Sequence, residues 1–534
     1  MAGQLGDSWC KLLGIGSAKQ ILFREIQQQL SEIQRLIGFT HIKFHGIFSD
    51  EMLVVSRTVT GELNFNFRTI DMVLDFLLSI GLTPFLELSF MPTELAKSRD
   101  KMVLNNHYNT SQPARLEEWL ALVRAFFRHL LARYGPEQVE SMPVTVWNNA
   151  DSPLEMYGMQ EELAFDTLYR ETYLAIKEMD ANIQVGGPAL TFMEEKSFQW
   201  ARQFYTWQHS QGITPDFFTV QYFAVDSRPS RDVRIDLRSW QPNHMVAVRN
   251  DGHFSLLAGT PLSTDPDHLS QFRAQVDRFR AQLGLESLPL WITEWNLTVN
   301  HNNLINDTVF AGCYVLKNVL EHSHGLQALA YWCATDFIEE QPLPSHIFHG
   351  GLGLITVDGI RKPQFLAYQA LRQLQPHILA QGPGYIVTRS EHMLSALFYN
   401  YEHFSDLYAG NKTYNVSDTN RYTPFAKQAK ANFVLELTHL PQRPVREAVE
   451  FVVNRAHGSA YDNWLEMGAP VWGTSPELDQ YRLECLKASA HPLIHSFSPQ
   501  LDQGTLHYEA TLEPLEFRLV QISFYGKDEV PWTT

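Results

Sequence analysis

The sequence predicts an α/β protein with a (β/α)8 TIM barrel over residues 1–375, followed by an antiparallel β-sandwich accessory domain over residues 376–534. Helical periods alternate with short apolar runs from about residue 20 to 375, and short alternating runs replace them beyond about residue 380. Unusual polar residues directly follow the apolar runs, where the active sites of barrels are built. A doubly wound sheet would give a similar alternation, and counting repeats in one sequence does not exclude it.

The barrel elements follow one another in a regular order. Apolar residues at helical spacing in FREIQQQLSEIQRLIG end at Gly38, and the strand HIKFHG comes next. A last strand is expected to include GLGLITV, before the helix KPQFLAYQALRQL. About eight strands separated by helices are typical of a (β/α)8 barrel. The intervening helix and strand pairs are IDMVLDFLLSIG with TPFLELSF, LEEWLALVRAFFRHLLARYG with PVTVWNN, LYRETYLAIKEMD with IQVGGPAL, FQWARQFYTWQHS with DFFTVQYF, LSQFRAQVDRFRAQLG with LPLWITEWN, and TVFAGCYVLKNVLEHS with ALAYWCATD.

The C-terminal part has the pattern of an antiparallel sandwich. Its short runs are separated by clusters of Gly, Pro, Asn and Asp, as in hairpin-connected strands. We expect this region to pack beside the barrel as a supporting domain. The runs are HMLSALFYNY, ANFVLELTHL, REAVEFVVNR, TLHYEATL and EFRLVQISFY.

The composition argues against a nucleic-acid-binding protein, a membrane protein and a metalloprotein. The formal net charge is −17 and no block of Lys or Arg interrupts it, so this chain is not expected to bind nucleic acid. The 4 cysteines lack CxxC spacing, which favours free thiols in a reducing compartment. Without a signal-like N-terminus or a membrane-spanning apolar run, we expect a cytoplasmic protein that does not associate with membranes. No HExxH-like spacing occurs, and neither a metal nor a cofactor is expected.

Two apolar runs end in residues suited to carbohydrate chemistry. Glu294 in ITEWN is either a structural acid at a strand end or a nucleophile at a barrel mouth. Trp332 and the acids of the following TDFIEE segment offer an aromatic face and carboxylates to a sugar ring. Core packing and a solvated loop would explain each feature alone, but their joint position after consecutive strands favours sugar binding. The glycines of FHGGLGL are not followed by GK[ST], which argues against a phosphate loop.

Several ordered segments resemble glycoside hydrolase family 39, the β-xylosidase and α-L-iduronidase family. The resemblance covers nearly the whole chain, and RAHGSAYDNWLEMGAP and LEPLEFRLVQI are similar to the accessory β-region of that family. The barrel segments that carry the resemblance are WCKLLGIGSAKQILFREIQQQLSEIQRLIGFTHIKFHG, IGLTPFLELSFMP, VGGPA, WITEWN, LAYWCATDFIEE and FHGGLGL.

The resemblance implies a retaining mechanism with two carboxylates about 5 to 5.5 Å apart. One carboxylate attacks the anomeric carbon, and this nucleophile corresponds to Glu294. The other, the acid/base, is the Glu of a W-N-E-P-N-like motif, which here reads Trp147-Asn148-Asn149-Ala150-Asp151. Asn149 thus replaces the acid/base, and an amide has no proton to give at neutral pH.

The positions that would recognise the sugar are mostly retained. Asn148 is expected to hydrogen-bond the 2-hydroxyl, whereas Gln221 stands where the family has a His near the nucleophile. The resemblance assigns substrate binding to these two residues and to His45, Gly46, Trp332, Glu339, Glu340 and His349.

Two hypotheses follow. The first is a sugar-sensing or catalytically impaired module that binds a glycoside or oligosaccharide containing xylose, like the family 39-like modules of some AraC-type regulators, although no helix-turn-helix is visible here. The second is an active retaining β-xylosidase whose acid is displaced to Asp151 or Glu155. Since relatives often associate, a homo-oligomer is also expected.

Overall fold

The computed structural model describes most of the chain. The described residues are 3–151, 157, 164–191, 195–225, 262–299, 301–339, 347–409, 416–417, 419–438, 444–468, 480–502 and 504–525.

The helices of the described residues follow the expected spacing. In the first helix, Ile26, Leu30 and Ile33 recur at intervals of three and four and are buried, and the chain turns at Gly38 with φ +80°. In chain order the helices are α1 (Arg24–Leu36), α2 (Arg68–Ser79), α3 (Leu116–Tyr134), α4 (Pro136–Glu140), α5 (Phe165–Met179), α6 (Glu195–Ser210), α7 (His268–Gln282), α8 (Val309–His322), α9 (Pro363–Arg372), α10 (Asp406–Ala409), α11 (Ala460–Glu466) and α12 (Gln480–Ser489).

Among the described residues, the strands form a parallel sheet in the barrel, two antiparallel sheets in the accessory region, and two short antiparallel pairs, β4 with β5 and β7 with β8. In chain order the strands are β1 (Gly3–Gln4), β2 (Leu12–Ser17), β3 (His41–His45), β4 (Val55–Arg57), β5 (Leu63–Phe65), β6 (Thr83–Leu88), β7 (Met102–Val103), β8 (Tyr108–Asn109), β9 (Val144–Val146), β10 (Phe218–Phe223), β11 (Leu290–Asn296), β12 (Ala328–Tyr331), β13 (His377–Gly382), β14 (Tyr385–Arg389), β15 (Met393–Tyr399), β16 (Ala431–Leu437), β17 (Val445–Val453), β18 (Leu493–Ser496), β19 (Gln500–Asp502), β20 (Thr505–Leu512) and β21 (Phe517–Phe524).

A parallel barrel forms the first part of the molecule, as the sequence predicts. Seven parallel strands run in the order β10-β11-β12-β2-β3-β6-β9. The segment 185–190 lies between β9 and β10, with parallel bridges from Val185 to Val144 and from Leu190 to Val220. At the amino ends of the strands, Leu12, Phe85, Phe217, Trp291, Ala328 and Ala330 form one apolar cluster. This cluster fills one end of the barrel and leaves the carboxyl ends of the strands to form a site.

The prediction that GLGLITV forms the last barrel strand is wrong. GLGLITV forms no extended strand, and only Ile355 within it makes isolated bridges, to Thr335 and Arg361. The buried run LLGIGS (β2), which we did not assign as a strand, lies between β12 and β3 instead. The backbone of GLGLITV instead packs closely against Asp336, where a Cβ at Gly351 or Gly353 would collide with that residue.

The accessory region is antiparallel, as expected. One sheet has the order β1-β13-β14-β15-β21-β17-β18, and a second has the order β16-β20-β19. The two sheets share an apolar core that includes Val387, Phe398, Tyr508, Leu512 and Ile522. The N-terminal strand β1 pairs with β13 and so belongs to this region in space. Among the described residues, no helix combines the length and hydrophobicity needed to cross a bilayer.

Candidate active site

The carboxyl ends of neighbouring barrel strands bring Asn149, Gln221 and Glu294 together. Gln221 in β10 is the register partner of Glu294 in β11. Gln221 Nε2 donates a hydrogen bond of 2.6 Å to Oδ1 of Asn149, which follows β9. The two positions at which the sequence resemblance places the acid/base and the nucleophile therefore flank the same glutamine.

The backbone around position 149 has an unusual conformation. Trp147 and Asn149 both have left-handed φ angles, of 69° and 51°. A bulky residue rarely adopts this conformation, whereas Asn tolerates it well. The indole of Trp147 packs edge-on against Tyr157 and Phe90, with ring centroids 5.1 and 5.9 Å away. Aromatic packing thus fixes the turn that presents Asn148 and Asn149.

Asn148 offers an acceptor at the barrel mouth. Its side chain is 4% exposed, and Oδ1 has no hydrogen-bond partner among the described residues. Buried polar atoms are normally paired, so an unpaired carbonyl oxygen here is suited to accept a hydrogen bond from a ligand hydroxyl.

Beneath Glu294 lies an ion-pair chain that sequence reasoning missed. Lys43 Nζ lies 2.7 Å from Oε1 of Glu294 and 2.9 Å from Oε2 of Glu87. Burial alone would lower the pKa of Lys43, but the two carboxylates outweigh it and raise that pKa above its ordinary value. The ammonium therefore stays charged and holds the Glu294 carboxylate in place. The available signal was a charged residue within each of the buried strands HIKFH and TPFLEL.

Aromatic rings form one wall of the site. Trp332 is 5% exposed, and its ring lies 5.8 Å from Lys43 Nζ and 6.4 Å from the ring of His45. Gly46 has φ +72°, and a Cβ there would lie 2.9 Å from Ser49 Oγ, so Gly46 serves backbone geometry. A Cβ at Gly14 in β2 would lie only 2.5 Å from Cε3 of Trp332. The missing side chain at Gly14 makes room for the indole.

Other expected binding residues lie farther along the rim. Glu339 Oε2 accepts a hydrogen bond of 3.4 Å from Asn106 Nδ2, and burial raises the pKa of Glu339. His349 is 6% exposed and interacts electrostatically with the buried carboxylates of Asp307 and Asp336. Glu340 lies outside the described residues.

Asp336 is not the sugar-facing acid that the sequence suggested. Its side chain is fully buried, and both of its oxygens contact Lys362 Nζ at 3.1 and 3.2 Å. Its Oδ1 also accepts a hydrogen bond of 2.6 Å from the Gly353 N–H. Asp336 therefore organises the loop that follows β12.

Asp151, one of the two substitute acids considered, is engaged elsewhere. Its Oδ1 accepts hydrogen bonds from the N–H and the hydroxyl of Thr191, at 3.0 and 3.2 Å. These bonds tie the loop after β9 to the end of the neighbouring strand segment. Glu155, the other substitute, lies outside the described residues.

Within the part of the chain that the structure describes, one group of residues has the spacing of metal ligands, namely Asp267, Glu321 and His322. Lys317 Nζ lies between its two carboxylates, 2.5 Å from Asp267 and 2.8 Å from Glu321. A protein cation thus already offsets part of the charge of these two acids, which form an ion-pair network with it near the end of α8.

Comparisons with known proteins show similarity along most of the chain. The family model of glycosyl hydrolases family 39 matches residues 1–506. A β-xylosidase of Caldicellulosiruptor saccharolyticus is 30% identical over 377 residues, which make up 70% of each chain. A β-xylosidase of Geobacillus stearothermophilus is 25% identical over 519 residues, 96% of this chain and 92% of that protein.

Solved structures show the same fold. A monomeric β-xylosidase from Caulobacter crescentus CB15 superposes with a TM-score of 0.80 at 24% identity, covering 98% of both chains. A GH39 enzyme from Xanthomonas axonopodis pv. citri gives a TM-score of 0.81 at 23% identity, covering 98% of this chain and 96% of that one. The barrel and the antiparallel accessory region are therefore both shared with these structures.

Proposed function

This chain belongs to glycosyl hydrolase family 39, and on that basis we propose that it is a glycosidase that acts on β-xylosides, with Glu294 as the nucleophile of a retaining reaction. The observation that carries the proposal is the placement of Glu294 at a strand end, paired with buried Lys43 and next to Gln221 and Asn149. The β-xylosidase relatives favour a glycosidase over a purely sensory module.

The first half of the reaction uses residues that this chain has. Glu294 attacks the anomeric carbon and forms a glycosyl-enzyme, while the leaving-group oxygen departs with the bonding electrons. Lys43, 2.7 Å from Glu294 Oε1, fixes the attacking carboxylate. Asn148 accepts a hydrogen bond from the 2-hydroxyl through its buried Oδ1. Trp332 supports the face of the sugar ring.

Proton transfer is where this site differs from a two-carboxylate site. Asn149 cannot protonate the departing oxygen or activate water, which removes a contribution of about 10² to 10⁴-fold in rate. A leaving group whose phenol has a low pKa can depart as the phenolate without being protonated. An alkyl leaving group would depart as a strongly basic alkoxide, and it therefore needs a proton from an acid. Hydrolysis of the glycosyl-enzyme also lacks base assistance, so that step is slow.

Full hydrolytic activity would require another carboxylic acid to take the place of the missing acid/base at position 149. The hydrogen bonds from Thr191 to Asp151 favour a structural role for that carboxylate. Glu155, four residues after Asp151 in the sequence, is then the other candidate for a substitute acid.

Glycoside sensing, as in the effector module of a regulator, is the second candidate function. The hydrogen-bonded amide pair of Asn149 and Gln221 favours it, because two neutral amides recognise hydroxyls but transfer no protons. In this case the chain would bind xylosides without turning them over.

Kinetics with two leaving groups separate these functions. We expect 4-nitrophenyl β-xyloside to react with an initial burst and then slowly, with azide accelerating the slow phase by attacking the glycosyl-enzyme. Methyl β-xyloside should be inert, and Glu294→Gln should abolish both phases. Rapid hydrolysis of xylobiose would contradict the limit imposed by Asn149 and support Glu155. Xylobiose binding without any reaction of the aryl xyloside would support sensing.

A further inference from the structure

The loop that contains the FHGG motif is held by the accessory region. We define the glycine loop as residues 347–354. Arg421 Nη2 donates a hydrogen bond of 2.5 Å to the carbonyl oxygen of Phe348 in this loop. The ring of Phe348 packs against Trp464 and Tyr461 of α11, with ring centroids 5.6 and 6.1 Å away. The guanidinium of Arg421 lies 4.2 Å from the ring centroid of Tyr461. The residue that precedes His349 is thus fixed by accessory side chains.

The same arginine fixes a second loop of the barrel. Arg421 Nη1 lies 2.7 Å from Asp307 Oδ2 and donates a hydrogen bond of 3.2 Å to the Leu304 carbonyl oxygen. Asp307 Oδ2 also accepts a hydrogen bond of 2.6 Å from the Gly350 N–H. Arg421 and Asp307 are both fully buried. A planar guanidinium with several donors can hold two loops in one relative position, and its interactions are strong where water is excluded.

The glycine loop continues to the sugar platform. The carbonyl oxygen of Leu352 accepts hydrogen bonds from the Cys333 N–H at 3.3 Å and from Asn296 Nδ2 at 3.5 Å. Asn296 Nδ2 also donates a hydrogen bond of 2.5 Å to the Trp332 carbonyl oxygen. The side chains of Leu352 and Trp332 belong to one apolar cluster. A contact chain therefore joins Arg421 to Trp332 through Phe348, Gly350 and Leu352.

We propose that Arg421 is a positioning residue of the sugar site, through which the accessory region sets the place of the glycine loop and of the Trp332 platform. The inference rests on the proposed function for the identity of the ligand, a β-xyloside. It goes beyond that function because it makes the accessory region part of the binding site. The alternative is that Arg421 only holds the accessory region against the barrel and has no effect on sugar binding.

The test compares xylobiose binding with stability in four variants. We expect Arg421→Met to raise the Kd for xylobiose about tenfold, because a displaced glycine loop and Trp332 would weaken contacts with the sugar by about as much as the loss of one hydrogen bond. Arg421→Met with Asp307→Asn removes a cation and an anion together, so it should fold more readily and show the same weakening. Arg421→Lys should restore part of the affinity. Arg455→Met is the matched control, because Arg455 contacts Asp462 and Tyr422 within the accessory region. Its Kd should equal that of the wild type.

Hydrogen exchange gives a second readout that needs no ligand. The amides of Gly350 and Gly353 donate to Asp307 and Asp336, so their exchange reports the position of the glycine loop. We expect faster exchange in the peptide covering this loop for Arg421→Met and for the double variant, and unchanged exchange for Arg455→Met. Lower melting temperatures with unchanged Kd would overturn the proposal. If the wild type does not bind xylobiose, the proposed function fails, and unchanged exchange would then overturn the positioning role separately.

Discussion

At the scale of single residues, the proposed chemistry of the site depends on Asn149. Its Oδ1 accepts the hydrogen bond from Gln221, whose backbone pairs with that of Glu294. An amide in this place binds hydroxyls well and moves no proton. The left-handed φ of 51° also suits Asn better than Glu. We therefore propose that position 149 separates recognition of a glycoside from efficient cleavage of it.

Asn149→Glu tests this separation. The new carboxyl should protonate the leaving oxygen, so the rate with methyl β-xyloside should rise by about 10² to 10⁴-fold. The left-handed backbone should reduce stability by about 1 to 2 kcal/mol. The pH profile of kcat/KM should gain an alkaline limb, because the acid must be protonated. Steady-state kinetics and thermal unfolding measure these effects.

Asn149→Gln is the matched control, because Gln has the length of Glu but carries no acidic proton. If folded Asn149→Glu were no faster than Asn149→Gln, the limit on catalysis would lie in the geometry of the loop and not in the identity of residue 149.

The sequence allowed some of these residues to be predicted and hid others. Glu294 and Asn149 follow apolar runs, so their strand-end positions were predictable, and the structure brings both beside Gln221. Lys43 was missed because its partner Glu294 lies 251 positions away along the chain. The Lys43–Glu294 ion pair forms only when the strands of the barrel come together. The local sequence around either residue does not indicate which distant side chain will be its partner. Asp336 was assigned to the sugar because nothing nearby in sequence indicates its partner Lys362.

At the scale of elements, β2 packs against Trp332, the proposed platform for the sugar ring. This strand lies between β12 and β3, and its residues are all buried. The glycines in LLGIGS weakened its strand pattern, and that is why we did not assign it from sequence. One of them, Gly14, is required by the indole of Trp332. Gly14 therefore weakens the strand pattern in the sequence and also leaves room for the indole of Trp332.

Gly14→Ala tests this role of β2. Its Cβ would lie 2.5 Å from Trp332 Cε3, so the indole must shift. We expect a loss of about 1 to 3 kcal/mol in stability from overpacking, together with weaker xylobiose binding. Gly6→Ala is the control, because no atom lies within 4 Å of a Cβ built there. Calorimetry of unfolding and of binding measures both effects. Unchanged binding by Gly14→Ala would show that Trp332 does not support the sugar.

At the scale of the whole molecule, barrel and accessory region form one structure around the site. The sequence predicted both architectures because helical and strand periods are local properties. It did not predict that β1 joins the accessory sheet, nor that Arg421 reaches Asp307, 114 positions away. These contacts depend on how the two regions pack, which periodicity does not encode. The accessory region thus contributes to the barrel mouth through contacts that only the structure shows.

The most direct test of the account is to trap the glycosyl-enzyme. The protein is mixed with 2,4-dinitrophenyl 2-deoxy-2-fluoro-β-xyloside, whose leaving group needs no acid and whose fluorine slows hydrolysis of the intermediate. Mass spectrometry of the intact chain and of its peptides should show one fluoroxylosyl group on Glu294, and none in Glu294→Gln. No adduct under conditions where xylobiose binds, or an adduct on a different carboxylate, would contradict the assignment of Glu294 as the nucleophile.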